Sequence, residues 1–238
     1  MTDSSPTAPL VLITGASQGI GAAVARAFAA RGWRLALVAR SEGKLAEVAH
    51  QCAEAGGEAR PFVCDVTDDA AVDRMADGVL AWAVPNVVVN NAGAFVPGGL
   101  SETTPEAFRE QMDVNVVSAF LVTRAFLAPM LERGSGRVLM MGSVASVRGY
   151  AGGVAYGAAK HALLGLARSL REEVKGTGVS VTTLLPGAVR TASWDGTDLP
   201  DGRFMPPEDI ARVAVEVASL SGRTVVEEVL LRPDAGDI

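Results

Sequence analysis

Short apolar segments alternate with longer, alanine-rich segments along the whole chain. LVLIT (10–14), RLALVAR (34–40) and NVVVN (86–90) are typical of strands, and a segment with helical periodicity follows each of them. Strands joined by helices lie parallel, because a parallel pair needs a crossover connection. The alternation therefore predicts an α/β fold in which helices cover both faces of a doubly wound parallel sheet of about seven strands.

The other predicted elements continue this pattern. Further strands are expected at 59–64, 136–143, 179–186 and 225–233, and helices at 19–32, 42–56, 68–83, 104–132, 154–165 and 206–220. The strand segments are apolar throughout, which indicates that both sheet faces are covered. Because no linker or repeat interrupts the pattern, we expect a single domain over residues 1–238, with a flexible lead-in at 1–8.

Composition and charge narrow the class of protein. The 238 residues carry a net charge of −6, spread along the chain, whereas nucleic-acid-binding proteins show a basic patch. The N-terminus lacks the features of a signal peptide, and no apolar run approaches the roughly 20 residues of a membrane helix. Cys52 and Cys64 are expected to be reduced thiols, with a disulfide between them as the alternative. These observations indicate a cytoplasmic protein without a nucleic-acid, membrane or metal partner.

A glycine-rich segment, TGASQGIG, follows the first predicted strand and opens the first predicted helix. Gly15, Gly19 and Gly21 would let the backbone approach a pyrophosphate closely, and the helix N-terminus would favour its negative charge. Glycines also mark tight turns and close helix–sheet packing. Their position in a strand–turn–helix unit favours a dinucleotide site in a Rossmann-type fold.

The end of the second predicted strand bears on the choice of dinucleotide. Folds that bind NAD usually place a carboxylate there for the ribose 2′-hydroxyl, but this chain has Ala39, followed by Arg40. An arginine at this place can pair with a 2′-phosphate, so NADP(H) is the expected cofactor. A solvated surface arginine is the alternative.

The next two strand ends carry polar residues whose roles stay open. Asp65 could contact the adenine amino group or cap the helix that starts near Asp68. NNAG (90–93) suits a place where the backbone lies close to a ribose or to the first loop, and a purely structural turn is the alternative.

Tyr156 and Lys160 are four residues apart in an otherwise small and apolar helical segment, so they project from one helix face. A nearby ammonium stabilises a phenolate and lowers the tyrosine pKa, which would make Tyr156 a general acid/base. A half-buried tyrosine with a wet hydroxyl is the alternative. Tyr150 has Val154 at the matching position, so it lacks a cationic partner. Neither histidine belongs to a recognisable catalytic or metal-binding pattern.

Six motifs, in this order and spacing, resemble the short-chain dehydrogenase/reductase family over nearly the whole chain: TGASQGIG, NNAG, DVNVVSAF (113–120), MGSVAS (141–146), YGAAK (156–160) and LLPGAV (184–189). The resemblance implies that Tyr156 is the general acid/base and that Lys160 lowers its pKa and binds the nicotinamide ribose. Ser143 would bind the substrate oxygen, and Asn115 would hold a water that links Lys160 to solvent.

The resemblance also implies a set of cofactor-binding residues. They are Gly15, Ser17, Gln18, Gly19, Ile20, Arg40, Asp65, Val66, Asn91, Ala92, Gly93, Tyr156, Lys160, Pro186, Gly187, Val189 and Thr191, with Asn90 in the ribose-side turn. NADP-preferring relatives often have a basic residue where this chain has Gln18, which leaves Arg40 to select the cofactor largely alone. The substrate-loop region, 190–206, is short, and its Trp194 and Phe204 either cover the substrate or pin the loop.

We therefore expect an NADP(H)-dependent oxidoreductase that acts on a small carbonyl or alcohol substrate, as a ketone or 3-oxoacyl reductase. An alcohol or hydroxy-acid dehydrogenase working oxidatively and a non-catalytic dinucleotide-binding regulator are the alternatives. The helix that carries the Tyr–Lys pair is rich in small residues, and in relatives it lies at a subunit interface. A homodimer or homotetramer is expected on this ground.

Overall fold

Seven parallel strands form one sheet in the computed structural model, which describes residues 8–237. The strand order is β3-β2-β1-β4-β5-β6-β7, and every neighbouring pair is parallel. The strands are β1 (Leu10–Thr14), β2 (Arg34–Ala39), β3 (Glu58–Val63), β4 (Val87–Asn90), β5 (Gly136–Met141), β6 (Val179–Pro186) and β7 (Glu228–Leu231). The order reverses between β1 and β4, and ligands of such sheets bind beyond the carboxyl ends of the strands at that point. Of the predicted lead-in, residues 1–7 lie outside the described part of the chain.

Helices cover both faces of this sheet, as the sequence predicts. They are α1 (Gly19–Ala29), α2 (Glu42–Glu54), α3 (Asp69–Leu80), α4 (Pro105–Met112), α5 (Ser118–Arg133), α6 (Val154–Val174) and α7 (Pro207–Ser219). Alternate residues of β1 face opposite ways, so that Val11 packs with Phe28 of α1 while Leu12 packs with Phe126 of α5. All four side chains are 0% exposed, so the strand is buried on both faces.

The two edge strands depart from the expected burial. The residues of β3 are largely exposed, and Val63 at its end is 57% exposed. Leu230 of β7 is 50% exposed. An edge strand has a neighbour on one side only, and Pro61, which has no N–H to donate, is compatible with that position. Apolar composition alone therefore did not separate the central strands from the edges.

The helix predicted at 104–132 is divided by a π-helical turn, Asp113–Val117, that links α4 to α5. By length and composition alone, the combined segment Pro105–Arg133 could cross a membrane, because an 18-residue window within it has a mean hydropathy of 1.7. The expectation that no apolar run has this length is therefore wrong. In the fold, 44% of this window is buried, and α5 packs against α3 and the sheet.

The two cysteines are free thiols, as expected. Cys52 lies in α2 and Cys64 follows β3, and both are buried. Burial raises the pKa of each thiol to about 11, so neither is reactive at neutral pH.

Candidate active site

A cavity of about 1190 Å³ opens at the carboxyl ends of the strands, where the topology places it. Ligand pockets are typically about 300–1,000 Å³, so this cavity has room for an extended ligand and a second, smaller molecule. The residues that the sequence assigns to catalysis or to the cofactor line this cavity, except Gly21 and Asn90. Residues from loops more than 150 positions apart, such as Ser17 and Thr191, thus share one site.

The turn after β1 is close-packed and depends on glycine. Gly15 and Gly19 adopt left-handed backbone conformations, with φ of +63° and +55°. A Cβ atom on Gly21 would lie 2.2 Å from the carbonyl oxygen of Gly15 and 2.5 Å from Nδ2 of Asn91. Gly21 therefore serves packing: it lets α1 start directly against the turn, whereas Gly15 and Gly19 line the cavity itself.

The NNAG segment braces this first turn. The side-chain amide of Asn91 donates to the carbonyl oxygens of Thr14 (2.9 Å) and Gly15 (3.3 Å). The hydroxyl of Thr14 accepts from the backbone N–H groups of Asn91 and Ala92, each at 3.0 Å. Asn90 is buried at the end of β4 and donates to the Thr123 hydroxyl at 2.8 Å. The expected closeness to the first loop is confirmed, and the closeness to a ribose stays a prediction.

Charged groups gather beyond β2 and β3. Arg40 lies 3.9 Å from Asp65, and its side chain is 79% exposed. Two hydrogen bonds from Thr67 to Asp65, with a smaller effect of Arg40, lower the pKa of the Asp65 carboxyl. Asp65 does not cap α3, because Asp68 is the N-cap residue and accepts from the Ala71 N–H at 3.0 Å. The capping interpretation of Asp65 is therefore wrong.

Sequence reasoning missed Ser41 and Lys44 at the start of α2, and also Thr67 beside Asp65. Ser41, the N-cap residue of α2, accepts no capping hydrogen bond, and Lys44 lies in the first turn of the same helix. Both line the cavity, and Nζ of Lys44 donates to Oε1 of Gln18 at 3.0 Å. The sequence could have indicated Ser41 and Lys44, because both come just after Arg40, at the start of the helix predicted at 42–56.

The catalytic candidates meet at the other end of the cavity. Lys160 is 5% exposed, its Nζ lies 5.5 Å from the centroid of the Tyr156 ring, and it donates to the Met141 carbonyl at 2.9 Å. The shared helix face is confirmed. The hydroxyl of Ser143 accepts from the Ala145 N–H at 3.1 Å, so its own proton is directed elsewhere.

The expected lowering of the Tyr156 pKa is not found in the protein chain alone. Burial raises the pKa of Tyr156, and the Ser143 hydroxyl opposes this only in part. The Lys160 ammonium is itself buried, and its pKa falls from 10.5 to about 8. Desolvation is the main cause of both pKa shifts, because both side chains are removed from water.

Asn115 occupies the π-helical turn, and both it and Lys160 lie beside Gly93. Its Nδ2 donates to the carbonyl oxygens of Ala94 and Gln111, both at 3.0 Å, while its Oδ1 is buried without a partner in the described chain. A Cβ atom on Gly93 would lie 2.8 Å from that Oδ1 and 3.5 Å from Nζ of Lys160. Gly93 therefore keeps open a small space with a donor on one side and an acceptor on the other. Such a space fits a bridging water. That Asn115 holds a water linking Lys160 to solvent stays a prediction.

Two aromatic residues, Phe95 and Trp194, pack next to Tyr156 and form an aromatic roof over it. The Phe95 ring packs edge-on against Tyr156 with ring centroids 5.0 Å apart, and Trp194 stacks near Phe95 at 6.5 Å. Phe204 is 7% exposed and packs against Trp194 at 5.1 Å. Of the two roles left open for the loop aromatics, Phe204 pins the loop and Trp194 lines the cavity. Phe95 and Tyr150, which also line it, were missed.

Buried Lys160 makes stability depend on pH. The unfolded chain holds the lysine proton up to about pH 10.5 and the folded chain loses it near pH 8, so the unfolded state binds more protons between these values. The free energy of unfolding should therefore rise with pH in this window, by about 3 kcal/mol at most. We expect the melting temperature of the cofactor-free protein to rise relative to that of Lys160→Met as pH goes from 7 to 10. If the melting temperatures of the two proteins changed with pH in parallel over this range, the lowered pKa of Lys160 would be wrong.

Known proteins with similar sequences and structures agree with this geometry. The profile described as short chain dehydrogenase matches residues 9–199. The sepiapterin reductase of Chlorobaculum tepidum is 33% identical over 238 residues, which cover 96% of this chain and 98% of the relative. A putative ketoacyl reductase of the granaticin polyketide synthase of Streptomyces violaceoruber is 35% identical over 193 residues, 80% of this chain and 71% of the relative.

Solved structures extend the agreement to the fold. The alcohol dehydrogenase of the archaeon Thermococcus sibiricus, complexed with 5-hydroxy-NADP, superposes with a TM-score of 0.90 at 33% identity, over 97% of this chain and 98% of that one. The profile match spans the glycine turn, the NNAG segment, Ser143 and the Tyr156–Lys160 pair. The chain therefore belongs to the short chain dehydrogenase family of oxidoreductases.

Proposed function

We propose that this oxidoreductase reduces a ketone or 3-oxoacyl carbonyl group to an alcohol with NADPH. The observation that carries the proposal is the meeting of Ser143, Tyr156 and Lys160 at one end of a cavity whose other end holds Arg40. Two of the similar proteins named above are themselves named reductases, one of sepiapterin and one of a ketoacyl group.

The cofactor is NADP(H), and the residues present fit it. The close-packed glycine turn would hold the pyrophosphate, since bare backbone faces the cavity there. Arg40 would pair with the 2′-phosphate, and Lys160 would bind the nicotinamide ribose. Pro186 and Gly187 would border the nicotinamide itself. When bound, NADPH supplies the hydride for the carbonyl carbon.

Tyr156 is suited to donate a proton to the substrate oxygen. Burial raises the pKa of its phenol, so the hydroxyl stays protonated at neutral pH and can act as the acid. The Ser143 hydroxyl already accepts the Ala145 N–H, which leaves its proton for a second hydrogen bond to the same substrate oxygen. Two donors at one oxygen would stabilise the negative charge that develops there.

Lys160 and Asn115 are placed to return the proton to Tyr156. One ammonium proton of Lys160 is bound by the Met141 carbonyl, and two remain for other acceptors. The unpartnered Oδ1 of Asn115 faces the space beside Gly93, next to Nζ of Lys160. A water in that space would connect the lysine with the π-helical turn and, through it, with the cavity.

The aromatic roof limits the access of water to the reacting atoms. Phe95 lies against Tyr156, and Trp194 reaches Phe95 from the loop at 190–206. Excluding water strengthens the hydrogen bonds that Tyr156 and Ser143 make to the substrate. The roof also defines an apolar place for the body of the substrate next to the carbonyl.

The proposal is tested by following NADPH absorbance at 340 nm against a panel of ketones, aldehydes and 3-oxoacyl thioesters, and NADP⁺ against the matching alcohols. We expect turnover with at least one class of carbonyl compound, and faster reduction than oxidation at neutral pH. Turnover with alcohols alone would replace the proposal by the oxidative alternative, which the similarity to an alcohol dehydrogenase favours. Binding of NADPH without turnover of any compound would favour the non-catalytic regulator.

We also propose that two or four copies of this chain assemble through α5 and α6. Phe120 of α5 is 46% exposed and Val154 of α6 is 37% exposed. A Cβ atom on Gly165, in the middle of α6, would meet open space, so no contact within the chain accounts for a glycine in this helix. Sedimentation at micromolar concentration should show a dimer or tetramer, and Gly165→Arg should shift it to monomer. A monomeric wild-type protein would refute the assembly.

The cytoplasmic location expected from the sequence stays a prediction.

A further inference from the structure

Besides Arg40, a second cation, Lys44, lines the cavity at the start of α2. Lys44 is one of three lysines in the chain; the others are the catalytic candidate Lys160 and Lys175, which pairs with Glu172 on the surface. Lys44 and Arg40 both line the cavity, together with Ser41 between them. The two cations come from different elements, since Arg40 follows β2 and Lys44 lies in α2. Two elements thus each bring a positive charge to the lining of the cavity.

Arg40 shares its charge with a neighbouring acid. Its guanidinium lies 3.9 Å from Oδ2 of Asp65, whose Oδ1 is held by Thr67. The Asp65 carboxylate is ionised at neutral pH and lies beside the group that is expected to meet the 2′-phosphate. A phosphate monoester carries a charge of about −1.5 to −2 at pH 7. Arg40 beside Asp65 leaves most of that charge unbalanced.

Lys44 has no such competitor in the described part of the chain. No carboxylate lies within 4.0 Å of its Nζ, and its hydrogen bond goes to the neutral Oε1 of Gln18 at 3.0 Å. Gln18 stands in the glycine turn, 26 positions earlier in the sequence. The contact holds the lysine ammonium beside the glycine turn. Lys44 of α2 therefore brings a positive charge to the glycine turn, where Gln18 itself is neutral.

We propose that Lys44 is a second binding group for the 2′-phosphate of NADP(H), and that Gln18 is the residue that positions it. The lysine ammonium donates to a phosphate oxygen, and the Gln18 side chain limits the conformations that Lys44 samples before the cofactor arrives. This lowers the conformational entropy lost on binding. The inference rests on NADP(H) as the cofactor and not on the substrate of the proposed reaction.

Lys44→Gln tests this assignment, because it keeps most of the side-chain length and removes the charge. Affinities of the purified variant are measured by titration calorimetry for NADPH and NADH, and for adenosine 2′,5′-bisphosphate and 5′-AMP. A hydrogen bond to a charged group contributes enough that we expect about 10-fold weaker binding of the two ligands with a 2′-phosphate. Binding of the two ligands without it should change less than about twofold. The matched control Lys175→Gln should leave all four affinities unchanged.

Gln18→Ala tests the positioning role. We expect a loss of about threefold for the 2′-phosphorylated ligands, and no further loss when Gln18→Ala is added to Lys44→Gln, because the glutamine acts through the lysine. Unchanged NADPH affinity in Lys44→Gln would overturn the proposal. An equal loss for NADPH and NADH would also overturn it, since it would place the lysine on the pyrophosphate. Neither result depends on turnover, so failure here is distinct from failure of the proposed reaction.

Discussion

Tyr156→Phe is expected to lower kcat for carbonyl reduction by about 10³-fold, within the range of general acid catalysis. The variant keeps the ring that packs against Phe95 and loses only the hydroxyl that donates the proton. The NADPH affinity should change less than about threefold, because Lys160 and the glycine turn are unaffected. Single-turnover kinetics with NADPH and titration calorimetry measure the two quantities separately.

Tyr150→Phe is the matched control for this prediction. Tyr150 lines the same cavity and its pKa is also raised, to about 12, mainly by burial, but no ammonium lies four residues after it. We expect its removal to change KM more than kcat, as for a residue that contacts the substrate without transferring a proton. If Tyr156→Phe retained wild-type turnover, or if Tyr150→Phe lost as much kcat as Tyr156→Phe, the assignment of the acid would be wrong.

Gly21→Ala is expected to weaken NADPH binding by at least about 100-fold and to lower the free energy of unfolding by about 2 kcal/mol, as for overpacking of a close contact. The added methyl would lie 2.2 Å from a backbone oxygen of Gly15, and backbone atoms cannot turn away as a side-chain end can. The turn after β1 and α1 must therefore separate, which moves the backbone that faces the pyrophosphate. Thermal melting and calorimetric titration with NADPH measure the two effects.

Gly43→Ala provides the comparison within a neighbouring helix. A Cβ atom at Gly43 meets nothing within 4 Å, and its backbone does not require glycine. We expect unchanged or slightly higher stability, because alanine favours helix over glycine by up to about 1 kcal/mol. A similar loss in both variants would mean that glycine content in general, and not the contact between Gly21 and Gly15, determines cofactor binding.

Much of the site was predictable because its residues belong to local patterns. The glycine turn follows a strand and opens a helix, and Tyr156 and Lys160 are one helical turn apart, so short-range spacing placed each group. Ser143 and Asn115 have no local pattern of their own and were placed by the family resemblance. The structure brings all of them to one cavity.

Three predictions from the sequence were wrong because local patterns do not show the local hydrogen bonding or the strand pairing that the fold adopts. Asp65 was a candidate cap for α3 by its spacing, yet Asp68 is nearer to the helix and takes the cap. The segment at 104–132 has continuous helical periodicity, but a π-helical turn inserts at Asp113–Val117, and periodicity alone does not register one extra residue in a turn. The strands predicted at 59–64 and 225–233 were expected to be covered on both faces like the others, but the pairing order places β3 and β7 at the edges of the sheet.

The sequence by itself determined the order of strands and helices, the dinucleotide turn after β1, and the presence of a phenol and an ammonium on one helix face. Each of these depends on contacts between residues close in the chain. Only the tertiary structure decided that Lys44 meets Gln18, that Trp194 reaches Phe95 above Tyr156, and that burial raises the Tyr156 pKa. These features depend on distances between residues far apart in the chain and on the exclusion of water, and both arise only when the sheet and its loops pack together.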